Sequence, residues 1–171
     1  LRPDLRLLVM SATIRPDPIA AHLGDADIHT ADARLFPVET RLLARGSTAP
    51  IHAQAAGAVL RALDDETGSI LVFLPGEGEI RRTLERLREA RLPNGVSLHP
   101  LYGALPRDEQ DAAIEPPAYG CRKVVLATSI AETSLTIEGI RIVIDTGWMR
   151  VPRFSPRNGM SRLETLRITR D

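Results

Sequence analysis

Residues 123–145 read KVVLATSIAETSLTIEGIRIVID, two apolar runs around a polar band. Lys123–Ala127 and Ile140–Ile144 have the length and the Val, Leu and Ile content of buried strands. Between them stand five hydroxyl side chains, Thr128, Ser129, Thr133, Ser134 and Thr136, with the carboxylates Glu132 and Glu138. A seam so rich in small hydrogen-bonding groups, placed between two buried strands, needs a reason.

The same rhythm extends outward. Ser69–Leu74 reads as a third buried strand, turned by Pro75 and Gly76. Ile80, Leu84 and Leu87 then mark an amphipathic helix closing near Pro93–Gly95. Val96–Leu101 reads as a strand turned at Tyr102 and Gly103, and Pro106–Ile114 as a short helix. Upstream, Ile51, Ala55, Val59, Ala62 and Leu63 share a helical face that stops at Thr67 and Gly68. Strands alternating with helices predict an α/β fold, an open and mainly parallel sheet with helices on both faces. Ligands of such sheets sit beyond the carboxyl ends of the strands.

The two ends of the chain read differently. Leu5–Met10 has the character of a buried strand. Asp17 and Pro18 start a short helix stopped by Gly24, and further strands are predicted at Asp27–Thr30 and Val38–Leu43. At the other end, Met149–Phe154 and Ser161–Ile168 flank Asn158-Gly159, a strong signal for a β-hairpin. The hairpin carries Arg150, Arg153, Arg157, Arg162 and Arg167, for which a solvated face is the competing reading. The chain opens directly into a strand-like run and stops without a polar tail, so it is expected to be a segment of something longer.

Composition narrows the possibilities. With 171 residues and zero formal net charge, the chain suits one well-cored domain, or one domain plus a fragment of another, and has no global charge to attract nucleic acid. A groove needs only local charge and backbone donors, so nucleic-acid binding stays open. Aromatic residues make up 4%, leaving the core to Leu, Ile, Val and Ala. Cys121 is the only cysteine, which excludes an internal disulfide and a cysteine metal site. No apolar run reaches the length of a membrane span, and a cytoplasmic location is expected.

No GxxxxGK[ST] loop occurs, and Lys123 has no glycine-rich neighbourhood, so the chain cannot cradle nucleotide phosphates in that way. HExxH is absent too, His22, His29, His52 and His99 lie on unrelated elements, and no metal site is predicted. What remains is a set of strand-end loops with small polar residues: Ser11–Thr13, Leu74–Gly76, Tyr102–Gly103 and Thr128–Thr136. Each alone could merely cap a helix. Several on one edge favour a track for a polyanion backbone.

These residues carry a family resemblance. The stretch 127–140 resembles motif V of DEAH-box superfamily 2 ATP-dependent RNA helicases, a pattern close to ATNIAETSLTIDGI, with Ser129 in place of Asn and Glu138 in place of Asp. Ser11-Ala12-Thr13 resembles motif III, Leu71–Ile80 resembles motif IV, and Pro100–Pro106 is similar to PLYGSLP. The tail from Val143 is similar to the bacterial HrpB-type branch. The resemblance covers essentially the whole chain, in order and spacing.

Several expectations follow from it. The fold would be RecA-like, with residues 1–24 a remnant of a first RecA-like domain and 25–171 most of a second, followed by the hairpin. The phosphate-binding loop and DEAH sequence would lie upstream, and an arginine-rich motif downstream. The cofactor implied is ATP with Mg, the metal ligands lying outside this chain. The implied partners are single-stranded or duplex RNA and the first RecA-like domain of the same protein, with no membrane.

The resemblance also assigns roles. Ser11, Thr13 and Ser134 would couple nucleotide state to RNA grip. Ile114 would cover the base where an aromatic residue is usual, and Thr136 and Glu138 would meet the ribose. Gly76, Thr128 and Ser129 would contact the RNA backbone. Arg153 and Arg157 on the hairpin would meet the nucleic acid at a strand separator. A non-enzymatic binding module and a superfamily 2 motor acting on DNA are the alternatives.

Overall fold

The computed structural model describes residues 2, 5–10, 15–30, 36–43, 48–129, 137–157 and 159–168. The chain falls into two compact units, Leu1–Leu43 and Ala44–Asp171.

In the first unit the one regular element described is helix α1 (Pro16–His22). Proline in its first turn fits the helix without costing a hydrogen bond, and the left-handed Gly24 (φ 78°) follows its last turn. No strand forms at 27–30 or 38–43, contrary to the sequence reading, and residues 5–10 form none in this chain either. The physical reason is visible in their exposure. Leu8 and Met10 are each 81% exposed and Phe36 is 91% exposed, so nothing covers the apolar faces that the pattern implies. Alternation supplies a strand's two faces but not a neighbour to pair with.

The second unit holds α2 (Ile51–Asp65), β1 (Ser69–Phe73), α3 (Glu77–Glu89), β2 (Val96–Leu101), α4 (Arg107–Ile114), β3 (Arg122–Ala127) and β4 (Ile140–Asp145). It ends in β5 (Trp148–Ser155) and β6 (Met160–Arg167). The four sheet strands run in the order β2-β3-β1-β4, all parallel, with Ile70 opposite Val124 and Ile142. β5 and β6 pair antiparallel, with Arg153 opposite Arg162, forming the hairpin read from Asn158-Gly159. Among the described residues no helix is long and apolar enough to cross a membrane.

Strand periodicity divides the core in two. Ile70, Val72, Val124 and Leu126 point to one face, packed under Ala55, Val59 and Leu63 of α2 and Ile80, Leu84 and Leu87 of α3. Leu71, Val125 and Ala127 point to the other face, against Ala113 of α4 and Ile137. β1 and β3 are covered on both sides and therefore read as continuous apolar runs. β4 is an edge strand that alternates, with Val143 58% exposed, so it is half-buried rather than buried throughout.

Helix ends follow elementary rules. α3 carries Glu77 and Glu79 in its first turn and Arg86 and Arg88 in its last, matching the helix dipole. α2 ends at Asp65, and the chain turns into β1 through Gly68, whose φ is 95°. The Gly68 carbonyl accepts from Arg122 Nε at 2.7 Å, while Arg122 Nη1 donates to Leu63 at 3.0 Å. A Cβ at Gly68 would sit 2.8 Å from the Cβ of Arg141, a contact no side-chain rotation relieves. Gly68→Ala is therefore expected to destabilise the chain by about 1–3 kcal/mol or more. A urea unfolding midpoint equal to that of the parent chain would refute it.

Candidate functional site

Parallel strands put all their carboxyl ends on one edge, and the loops singled out in the sequence gather there. Leu74 N–H donates to Ala127 (2.8 Å), Thr128 N–H to Leu101 (3.2 Å) and Thr146 N–H to Phe73 (3.4 Å). These bonds stitch the ends of β1, β2, β3 and β4 into one rim. Gly76, Thr128 and Ser129 all lie along it. Thr128 is half-buried and its N–H is already engaged with Leu101, so its hydroxyl is the group it offers outward. Ser129 beside it is exposed.

Ile114 and Glu138 meet elsewhere. Both line a cleft of ≈ 400 Å³ with Asp111, Glu115 and Pro116. α4 runs back from the end of β2, and Glu138 precedes the first residue of β4, so this cleft opens at the amino edge of the sheet. Gly139 fixes that corner, because its carbonyl accepts from Ser69 N–H at 3.1 Å at the start of β1. Of the residues the resemblance assigned to ligands, Gly76, Thr128 and Ser129 thus lie beyond the carboxyl ends, and Ile114 and Glu138 at the amino edge.

Topology explains the split. A connection between two parallel strands must travel from the carboxyl end of the first to the amino end of the second. The stretch after β3 leaves the rim at Thr128 and arrives at the cleft at Glu138, with Ile137 buried against α4's face of the sheet. One polar band therefore reaches two separate sites. Ser11, Thr13, Ser134 and Thr136 lie outside the described residues.

The hairpin's arginines are mostly tied down within the chain. Arg153 Nη1 and Arg162 Nη2 both contact Glu164, at 3.0 and 3.1 Å. Two like charges directly opposite would repel, and Glu164 bridges them. Hydrogen bonds from Arg153 and Arg162 hold the Glu164 carboxyl below the usual carboxylate range. Arg167 lies 5.1 Å over the Trp148 ring. Arg157 is exposed in the turn, with no ion pair among the described residues. Of the two arginines assigned to nucleic acid, Arg157 keeps its charge free and Arg153 shares its charge with Glu164.

Two further residues were invisible in the linear sequence. Arg150 reaches from the hairpin to Glu79 of α3 (Nη2–Oε2 3.5 Å), the only ion pair between hairpin and α/β body among the described residues. Its guanidinium lies on Gly76, where a Cβ would fall 2.7 Å from Nη1. A side chain at 76 would have to displace the Arg150 guanidinium from this position. Lys123 is the other. Its ammonium is buried in β3 and donates to the carbonyls of Ala113 and Glu115 at the end of α4. Charge at 79 and 150 and a lone lysine were readable, but contacts 71 residues apart leave no local pattern.

Among the described residues no group of three or more His, Cys, Asp or Glu side chains converges to hold a metal ion.

Comparison with known proteins places this geometry. Residues 54–158 match the helicase conserved C-terminal domain. The chain is 49% identical over 169 residues to the ATP-dependent RNA helicase HrpB of Escherichia coli, covering 99% of this chain and 21% of that protein. It is 38% identical over 167 residues to the pre-mRNA-splicing factor ATP-dependent RNA helicase prp22 of Schizosaccharomyces pombe, covering 95% of this chain and 14% of that protein. A crystal structure of Escherichia coli DEAH/RHA helicase HrpB matches with a TM-score of 0.87 at 49% identity, over 99% of this chain and 22% of that one. The chain spans about a fifth or less of the length of these relatives. With the match running from α2 to the turn after β5, the chain belongs to the helicase conserved C-terminal domain family.

Proposed function

We propose that the intact protein is an ATP-dependent RNA helicase and that this chain supplies three of its parts. The rim at Gly76, Thr128 and Ser129 grips the RNA backbone. The cleft of Ile114 and Glu138 takes the base and ribose of the nucleotide. The hairpin, with Arg157 at its turn, separates strands. Phosphate binding, the Mg ligands and the attacking water belong to a first RecA-like domain preceding this chain, of which residues 1–24 are the end. A cytoplasmic location belongs to the same reading.

The observation that carries the reading is the meeting of Ile114 and Glu138 in one cleft. They lie on different elements, and the resemblance assigns both to one nucleotide. The cleft also fits that occupant chemically. Glu138 can accept a hydrogen bond from a ribose hydroxyl, and Ile114 gives a flat base an apolar wall without aromatic stacking. Base discrimination is accordingly weak, since stacking is worth roughly 1–3 kcal/mol per base.

Catalysis of phosphoryl transfer is mostly positioning and charge neutralisation. A domain that holds ribose at one edge and RNA at the other couples the two by rigid-body motion. RNA affinity that differs between closed and open states then turns hydrolysis into stepping. No observation favours the non-enzymatic module or the DNA motor.

The test uses two preparations. The intact protein is expected to show ATP hydrolysis stimulated by single-stranded RNA and to separate an RNA duplex. Residues 1–171 alone are expected to stay at the background rate. Hydrolysis by the isolated chain, or an intact protein unmoved by RNA, refutes the assignment. Matched RNA and DNA duplexes in the same assay decide between the two nucleic acids.

A further inference from the structure

Lys123 is the only lysine in the chain, and its side chain is 1% exposed. It belongs to β3, where its backbone N–H donates to Ser69 Oγ at 3.1 Å. From there the ammonium reaches across to α4 and donates to Ala113 O at 2.7 Å and to Glu115 O. These carbonyls belong to the end of a helix, where acceptors lack intrahelical donors and the dipole is negative. Burial lowers the Lys123 pKa from the ordinary lysine range, with Glu115 acting in the opposite sense.

The segment it grips is the wall of the nucleotide cleft. Asp111, Ile114, Glu115 and Pro116 supply every lining residue except Glu138. Packing holds this wall at Ala113, which is fully buried against Leu71, Leu101, Val125 and Ala127, while Ile114 is half-buried and Glu115 and Pro116 are exposed. Behind it lies a second cavity of ≈ 290 Å³, lined by Ser97, His99, Ala112, Pro117, Ala118 and Lys123 as well as Glu115 and Pro116. Beyond Ala113 the wall has space on both sides. α4 has eight residues, too few to be stable as an isolated helix. Beside the packing of Ala113, two hydrogen bonds from Lys123 fasten the end of α4 to the sheet.

We propose that Lys123 is a positioning residue for the nucleotide: its ammonium sets the place of Ile114 against the base by holding the last turn of α4. The proposal rests on reading the Ile114–Glu138 cleft as the nucleotide site. Lys123 does not touch the nucleotide itself. Its effect passes through Ala113 and Glu115 to Ile114, so it falls on nucleotide affinity and not on RNA binding at the opposite edge.

The experiment is a double-mutant cycle in the intact protein, read as ATP KM, kcat and RNA affinity. Lys123→Met removes the donors while keeping an unbranched side chain, and is expected to raise the KM for ATP about tenfold. The kcat at saturating ATP and the RNA Kd should stay within about twofold. Ile114→Ala should raise KM on its own, and the double variant should be no worse than the worse single, because both changes disable one wall. Additive losses, or a kcat and RNA affinity that fall as the KM rises, overturn the proposal. An Ile114→Ala variant with unchanged ATP KM instead refutes the cleft as nucleotide site. If Lys123→Met does not fold, Lys123→Gln, which keeps a donor without the charge, carries the same cycle. If Lys123→Gln is also unfolded, the role is structural and the proposal fails.

Discussion

Thr128→Ala in the intact protein is expected to weaken RNA binding by about tenfold to a hundredfold and to leave the KM for ATP in place. The magnitude follows from losing one hydrogen bond to a charged phosphate, worth about 1.5–3 kcal/mol. Only the hydroxyl is available for it, since the Thr128 N–H is bonded to Leu101 at 3.2 Å. Glu138→Ala is expected to do the reverse, raising the ATP KM roughly fivefold while RNA affinity holds. The two residues belong to one connection of the chain, yet it delivers them to opposite edges of the sheet. Filter binding to a single-stranded RNA and steady-state hydrolysis measure the two effects. Equal loss of both properties in either variant would show that the edges do not act separately.

The largest stability effect is expected at Leu126. Its side chain is fully buried, it lies opposite Val72 and Pro100 in the sheet, and it packs in the cluster beneath α2 and α3. Leu126→Ala removes that contact area and leaves a cavity that a sheet flanked on both sides cannot collapse to fill. The expected cost is about 2–5 kcal/mol, a large share of the 5–15 kcal/mol typical of a domain. Leu126→Met, which keeps the volume, is expected to cost less than about 1.5 kcal/mol. Urea unfolding of both variants decides the matter. An alanine variant within about 1 kcal/mol of the parent would mean that the site relaxes.

What could be read in advance follows from what is local. β1 and β3 were legible because strands covered on both faces are apolar without interruption, and the hairpin was legible from Asn158-Gly159. The order of α2, β1, α3, β2 and α4 followed from changes of period. The strands expected at 27–30 and 38–43 failed because Ile28, Val38 and Leu42 have the right alternation and no covering layer. The separation of the two edges was missed although both sets of residues were named, because motif order says nothing about direction of travel. Lys123 was weighed only for a glycine-rich loop it does not have. Its partners are main-chain carbonyls of Ala113 and Glu115, which no side-chain pattern announces. Arg150 and Glu79 escaped for the same reason, an ion pair made by folding alone.

The join between sheet and hairpin has a mechanical consequence. Thr146 and Gly147 alone separate β4 from β5, and both are fastened. Thr146 Oγ1 donates to Phe73 at 2.9 Å, Gly147 N–H to Asp145 Oδ1 at 2.8 Å, and Ile168 N–H to the Gly147 carbonyl at 3.0 Å. Arg150 adds a strut to Glu79. Such an elbow has no slack, so the hairpin is a stiff lever rooted in the strands. Eight residues at ~3.3 Å per residue give an arm of about 25 Å. A tilt of the sheet by about 10° would carry its tip some 4 Å. A small rotation at the root is thereby amplified into a displacement of several ångströms at the tip.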